Sequence, residues 1–183
     1  MTIHVDIPEY DGGWVEVFWE DHAKYKTELS HDGIVIYGNK AAFYSFARQM
    51  LYFCFNNIPS GSHVHFDDFF CKNGCCGSEL IIGLLNSNDL DMTYFNSFTG
   101  EIGIEIPDHA NGIVWYDDAS IVVESSNQQV SLQGNQSALY ALAKQFLILY
   151  NSCMQQITPP ICYYSNQLQG WKGQSLELRY LSE

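Results

Sequence analysis

Positive charge is what this chain has least of. Eight lysines and arginines stand against 21 aspartates and glutamates in 183 residues, a formal charge of −13. Between Lys72 and Lys144 there is no lysine or arginine, and the charged residues from 6 to 21 are all acids. Such a surface repels phosphate backbones and anionic lipid heads, which excludes nucleic acid and membrane as partners. No stretch approaches eighteen consecutive apolar residues, and "MTIHVDIPEYDGG" has no basic segment followed by an apolar run. The expectation is a soluble, cytoplasmic protein without a spanning helix or export signal. Without export, the even count of cysteines (Cys54, Cys71, Cys75, Cys76, Cys153 and Cys162) does not imply disulfides. Cys54, Cys153 and Cys162 fall in or beside apolar segments and read as reduced packing thiols. Catalytic signatures are missing too. There is no GxSxG, no glycine-rich cradle after a strand and no HExxH, so neither a catalytic residue nor a cofactor is expected.

What is present is an internal repetition. "GNQSALYALAKQ" at 134–145 restates "GNKAAFYSFARQ" at 38–49. At an offset of 96, residues 19–51 meet 115–147 with twelve identities, among them Trp19/Trp115, Asp21/Asp117, Gly38/Gly134, Asn39/Asn135 and Gln49/Gln145. Farther out, "IHVDIP" aligns with "IGIEIP" at an offset of 99 and "SELIIGLL" with "SLELRYLS" near 98. The reading is one repeat at 1–90, a linker at 91–100 and a second repeat at 101–183.

In the first repeat "IHVDI", "WVEVFW", "KYKTEL" and "GIVIYG" read as strands, being short, rich in β-branched or aromatic residues and bounded by turn formers. Ala42, Phe43, Phe46, Ala47, Met50, Leu51 and Cys54 then recur at three and four residues, with Lys40, Arg48 and Gln49 elsewhere on the wheel, as in an amphipathic helix capped by Asn39. "SHVHF" and "ELIIGLL" add two strands. The second repeat follows with "EIGIEI", "GIVWY", "SIVVES", "QVSLQ", a helix from Asn135 to about Asn151, "PICYY" and "SLELRYL". The expected fold is α+β: two pseudo-twofold-related repeats of order ββββαββ, each an antiparallel sheet of about six strands packed by one long helix. One helix covers one sheet face, so pairing two such units answers what to do with the other face and the edges. A monomer with an internal pseudo-twofold is expected, with homo-oligomerisation left open.

"SHVHFDDFFCKNGCC" places His63, His65 and Asp67 on one strand face and Val64 and Phe66 on the other. With Cys71, Cys75 or Cys76 these groups could make a zinc site or serve a small metal-dependent hydrolase. The second repeat keeps one cysteine and no histidine there, so the fold does not need a metal and none is expected. The pairs Asp67-Asp68 and Asp117-Asp118 sit at strand ends, where aspartate is favoured as a turn residue. Acids on matched hairpins of both repeats, Glu20-Asp21 and Asp117-Asp118, have aromatic neighbours: Trp14, Phe18, Trp19, Trp115 and Tyr116, with Tyr94, Phe95 and Phe98 in the linker. Aromatic anchors within an acidic rim suit a basic protein partner. The plain alternative is a scaffold or oligomerisation module.

The strand ending in "IYGN", the helix with "SFA" or "ALA" before a basic residue and Gln, then "GSHVHFDD" and "GSELIIGLL", together resemble immunity proteins of bacterial polymorphic toxin systems, most closely immunity protein family 32. The resemblance covers about residues 33–84. It implies a small cytosolic antitoxin that binds and blocks the toxin domain of a contact-dependent or type VI secretion effector. The partner would be a cognate basic toxin domain, occluded without catalysis. The residues expected to meet it are Glu20, Asp21, Asp117, Asp118, Tyr94 and Phe95, with His65, Asp67 and Asp68.

Overall fold

A computed structural model describes residues 1–30, 33–67, 78–85, 98–107, 114–126, 128–154, 162–164 and 168–181. Its elements in chain order are β1 (Thr2–Ile7), β2 (Tyr25–Ser30), β3 (Gly33–Gly38), α1 (Lys40–Phe55), β4 (His63–Phe66), β5 (Glu79–Leu84), β6 (Gly100–Glu105), β7 (Ile121–Ser126), β8 (Gln129–Gly134), α2 (Gln136–Met154), β9 (Cys162–Tyr164), β10 (Trp171–Gly173) and β11 (Leu176–Tyr180). The fold is α+β, with two helices and three sheets.

The helices begin where the sequence places them. Asn39 Oδ1 accepts from the Ala42 amide in the first turn of α1, and Asn135 Oδ1 from the Ala138 amide in α2. Each asparagine also fastens the chain entering the preceding hairpin. Asn39 Oδ1 accepts from the Lys24 amide while its Nδ2 donates to the His22 carbonyl. Asn135 treats Ser120 and Asp118 in the same way.

α1 and α2 pack against each other and run antiparallel: Tyr44 meets Tyr150, Phe43 meets Phe146, and Phe55 meets Tyr140. They are central rather than peripheral. Phe43, Phe46, Ala47, Met50 and Leu51 of α1 and Ala138, Leu139, Leu142, Phe146 and Leu149 of α2 are all fully buried. A helix buried nearly all round has no solvent stripe. Gln49, expected off the apolar face, is itself fully buried.

The expected six-stranded antiparallel sheet in each half is not what forms. The strands order as β1-β6, β10-β7-β8-β5-β4 and β2-β3-β11-β9. Each of the two larger sheets draws strands from both halves of the chain. β11 lies parallel to β3, with Leu176 opposite Ile34, and β5 lies parallel to β8, with Leu80 opposite Val130. The physical reason is burial on both faces. β3 is buried at Gly33, Ile34, Val35, Ile36 and Gly38, so it needs a neighbour on each side as well as cover above, and β2 can occupy only one side.

The segment "WVEVFW" is not a strand, so the order before α1 is three strands and not four. Helix side chains hold it instead: the Phe18 amide donates to Gln49 Oε1 and Gln49 Nε2 donates to the Glu16 carbonyl, while just past the segment the Glu20 amide donates to Ser45 Oγ. Within "GIVWY", Val114 donates to Gln145 Oε1 in the same manner, and residues 112 and 113 lie outside the described residues. β10 was not anticipated. It sits beside β7 because Gly170 and Gly173, at φ 76° and 91°, let the backbone approach so closely that a Cβ would stand 1.9 Å and 2.0 Å from the carbonyls of Ala119 and Val123.

β1 and β6 form a separate antiparallel ribbon whose inner residues Ile3, Val5, Ile7 and Ile104 are buried in the common core. No described helix is long and apolar enough to cross a membrane.

Candidate functional site

Strand alternation turns the other side of the ribbon outward. Thr2, His4 and Asp6 of β1 and Glu101, Gly103 and Glu105 of β6 are exposed. The antiparallel register sets Asp6 opposite Glu101 and Thr2 opposite Glu105. His4 Nδ1 stands 3.1 Å from Glu101 Oε1. Arg48, one turn before Tyr52 on α1, lies under this edge: its guanidinium donates to the Asp6 carbonyl at 2.9 Å, stands 3.2 Å from the Asp6 carboxylate and 3.9 Å from that of Glu20, and covers the Phe18 ring. These are exposed ion pairs and add little stability. Their importance is geometric, because one cation gathers carboxylates from β1 and from the loop before β2.

That loop, residues 8–20, continues the acidic face. Glu9, Asp11 and Glu16 are exposed on it. Phe18 and Tyr10 pack edge-on against Tyr52 of α1. Burial, reinforced by the carboxylates of Glu16 and Asp11, pushes the Tyr52 phenol up to about 12. About two turns earlier on α1 burial also raises Tyr44, with Arg48 opposing and Glu20 and Asp6 adding to the shift. Asp6, Asp11, Glu16, Glu20 and Glu101 therefore belong to one continuous surface over α1. Its field attracts cations.

The acids expected from sequence divide between two places. Glu20 and the exposed Asp21 adjoin this face at the start of α1. Asp117 and Asp118, also exposed, turn at the start of α2, where the Ser137 hydroxyl donates to Asp118 Oδ2 at 2.6 Å. Because the helices are antiparallel, the two turns stand at opposite ends of the helix pair and are not brought together. The aromatic neighbours mostly face inward: Trp19 packs on Tyr25, Phe46 and Phe66, and Trp115 on Tyr164 and Trp171. Of the described ones Trp14 alone is almost wholly exposed, at 94%. Tyr94, Phe95 and Asp68 lie outside the described residues.

His63, His65 and Asp67 are exposed on and just after β4, an outer strand of the five-stranded sheet. The imidazoles are neighbours at 5.0 Å between centroids. His65 Nδ1 is 2.6 Å from Glu79 Oε1, and Gln129 Nε2 donates to the other oxygen of Glu79. Burial pushes Glu79 upward, but the bonds from His65 and Gln129 together hold its carboxyl below the ordinary range. Among the described residues no group of three or more His, Cys, Asp or Glu is placed to hold a metal, and Cys71, Cys75 and Cys76 lie outside them. Cys54 is buried, its thiol pushed up by burial, and donates to the Gln136 carbonyl across the helix pair.

The outer face of the four-stranded sheet carries a different cluster. Glu177 receives two bonds from Arg179, Lys26 donates to Glu28, and both cations lean over Tyr37 beside a hollow of 580 Å³. Its charges are already matched within the sheet.

With α1, β4 and β5 placed, one stretch of chain can be set against known families. Residues 33–85 match the model of the family Immunity protein 32. The resemblance read from the sequence holds over that segment. Neither a curated protein nor a solved structure matches the chain. The immunity protein 32 segment runs from β3 through β5 and includes Ser45, Arg48, Gln49, Tyr52 and Asn56, the side chains that carry the acidic loop and gather its carboxylates. What sequence reasoning missed was Asp6 with Glu101. Alternation exposes both, but only the β1-β6 pairing shows that they share a surface.

Proposed function

We propose that this chain is an immunity protein that binds a cationic toxin domain and blocks it stoichiometrically in the cytoplasm, without catalysis. The observation that carries this reading is the acidic face of Asp6, Asp11, Glu16, Glu20 and Glu101, held by side chains of the immunity protein 32 segment. Occlusion requires complementary fields and a slowly released fit rather than reactive groups. Asp21 extends the face. Asp117 and Asp118 would form a second, separate contact. Tyr94 and Phe95 are kept as aromatic contacts, and His65, Asp67 and Asp68 as weaker ones.

The architecture supports a two-copy reading, with repeats at 1–90 and 101–183 joined by 91–100. Asn39 and Asn135, Gln49 and Gln145, and the ladder pairs Ile34–Leu176 and Val130–Leu80 repeat one another at a spacing of 96. That spacing aligns Leu80 with Leu176, in place of the offset near 98 read from the strings. In the ribbon, Ile3 faces Ile104 and Val5 faces Ile102, as a twofold beside the His4–Gly103 pair requires. Each copy gives its last strand to the sheet of the other.

The test is coexpression with the toxin domain encoded beside this chain, comparing wild type with the double reversal Asp6→Lys, Glu20→Lys. Protection should fall, and the association rate at low salt should drop by about tenfold or more as steering is lost. Unchanged protection and unchanged rate would reject the charge-steered interface.

A further inference from the structure

Tryptophan is among the most buried residues on average, and interfaces draw much of their affinity from it. Trp14 is 94% exposed, yet the loop that carries it is firmly held. At one foot the Tyr10 amide donates to Asn56 Oδ1, and Asn56 Nδ2 donates to the Pro8 carbonyl. At the other foot Gln49 donates to the Glu16 carbonyl and accepts from the Phe18 amide. Gln49 and Asn56 are themselves buried, so the clamps stand on α1 and on the residue that caps its C-terminus. Across the tip the Tyr10 hydroxyl donates to the Gly13 carbonyl, and the Gly13 amide donates to Asp11 Oδ1. The indole is thus displayed from a braced loop and is not a side chain that failed to find the core.

The geometry points to Trp14 as the apolar anchor of the protein interface, inserted into a slot on the toxin domain whose rim is cationic. The partner's charge follows from the loop itself. Glu9, Asp11 and Glu16 are exposed on the same loop as the indole, and no lysine or arginine precedes Lys24. The carboxylates steer encounter, and the indole, entering a water-excluded slot, slows release. Because the loop is already ordered, little conformational freedom is lost on docking. This assignment rests on the proposed antitoxin function and names its contact.

The test measures binding of the purified full-length chain to the toxin domain encoded beside it, by surface-based kinetics at two salt concentrations. Trp14→Ala should weaken binding by about thirtyfold or more, chiefly through faster dissociation. Asp11→Asn with Glu16→Gln should slow association and flatten its salt dependence while leaving dissociation nearly unchanged. Trp14 touches little of the fold, so the thermal midpoint of Trp14→Ala should equal that of wild type, which separates lost contact from lost structure. Wild-type binding with Trp14→Ala within twofold of it overturns the anchor and leaves the antitoxin reading standing. Absence of any complex with wild type overturns both.

Discussion

Ile34 on β3 lies opposite Leu176 on β11 in a parallel ladder, so the third strand of the chain is completed by the last. Leu80 on β5 and Val130 on β8 make the reciprocal arrangement, and all four side chains are buried. No boundary drawn across the middle of the sequence separates two self-sufficient cores.

Unfolding should therefore be a single event. Leu178→Ala, in the centre of β11 and fully buried, should cost about 2–5 kcal/mol. The loss should appear equally in helix signal by circular dichroism and in tryptophan fluorescence during urea unfolding. Two resolved transitions would show that the exchanged strands do not couple the halves.

Asn39 deserves separate substitution because it closes three bonds at once: the Ala42 and Lys24 amides donate to it and it donates to the His22 carbonyl. Asn39→Ala should cost about 2–3 kcal/mol, more than an N-cap loss alone, since the residue is only 3% exposed and leaves buried groups unmatched. Asn39→Asp keeps the acceptor and loses the donor, so it should fall between alanine and wild type in the same urea titration.

Glu79 predicts an acid limb in the stability profile. Its carboxyl is held below the ordinary value of 4.5 by His65 and Gln129, against burial. The folded state then binds fewer protons than the unfolded one. The stabilisation is fully present above the ordinary carboxylate pKa and is lost as pH falls through the lower folded value. Glu79→Gln should flatten the stability profile as pH falls below the ordinary carboxylate value, relative to wild type, as read by thermal midpoints.

Tyr52 reports on the acidic loop without any partner. Burial first, then Glu16 and Asp11, holds its phenol at about 12. Glu16→Gln should lower that titration toward the ordinary value of 10, read by the absorbance of Tyr52 against a Tyr52→Phe control. A titration that does not move would place Glu16 away from the ring.

The two acidic turns can be told apart by reversal in the coexpression assay. Asp21→Lys, beside Glu20, should reduce protection more than Asp117→Lys, at the far end of the helix pair. Equal losses would mean that the toxin domain reaches both turns.

Local chemistry was readable and partner choice was not. Asn39 and Asn135 announced both helix starts, and alternation placed His63 and His65 outward with Val64 and Phe66 inward. The stretch from Trp14 to Trp19 misled because its branched and aromatic residues fit a strand, whereas its Phe18 amide and Glu16 carbonyl bond to Gln49 of α1. A hint was present: Gln49 and Gln145 recur at the same helix position, and a glutamine fixed among apolar neighbours has bonds to make. β10 was hidden by its three-residue length, with Gly170 and Gly173 as its marker. Strand neighbours are set by contacts far apart in sequence, so nothing in the periodicity of β3 or β5 names β11 or β8. The acidic face was half visible for the same reason: the carboxylates could be counted, but their convergence on Arg48 depends on how β1, β6 and α1 meet.

The reciprocal trade of end strands also frees the exterior from symmetry. Tyr37, flanked by Lys26 and Arg179 on one sheet, has Gln133, Val122 and Gly83 at the matching ladder positions of the other. A pair of identical subunits would have to display the same decoration twice. On the two-copy reading proposed above, a pair once covalently joined and locked by its borrowed strands can keep its interior matched while each outward side acquires a chemistry of its own.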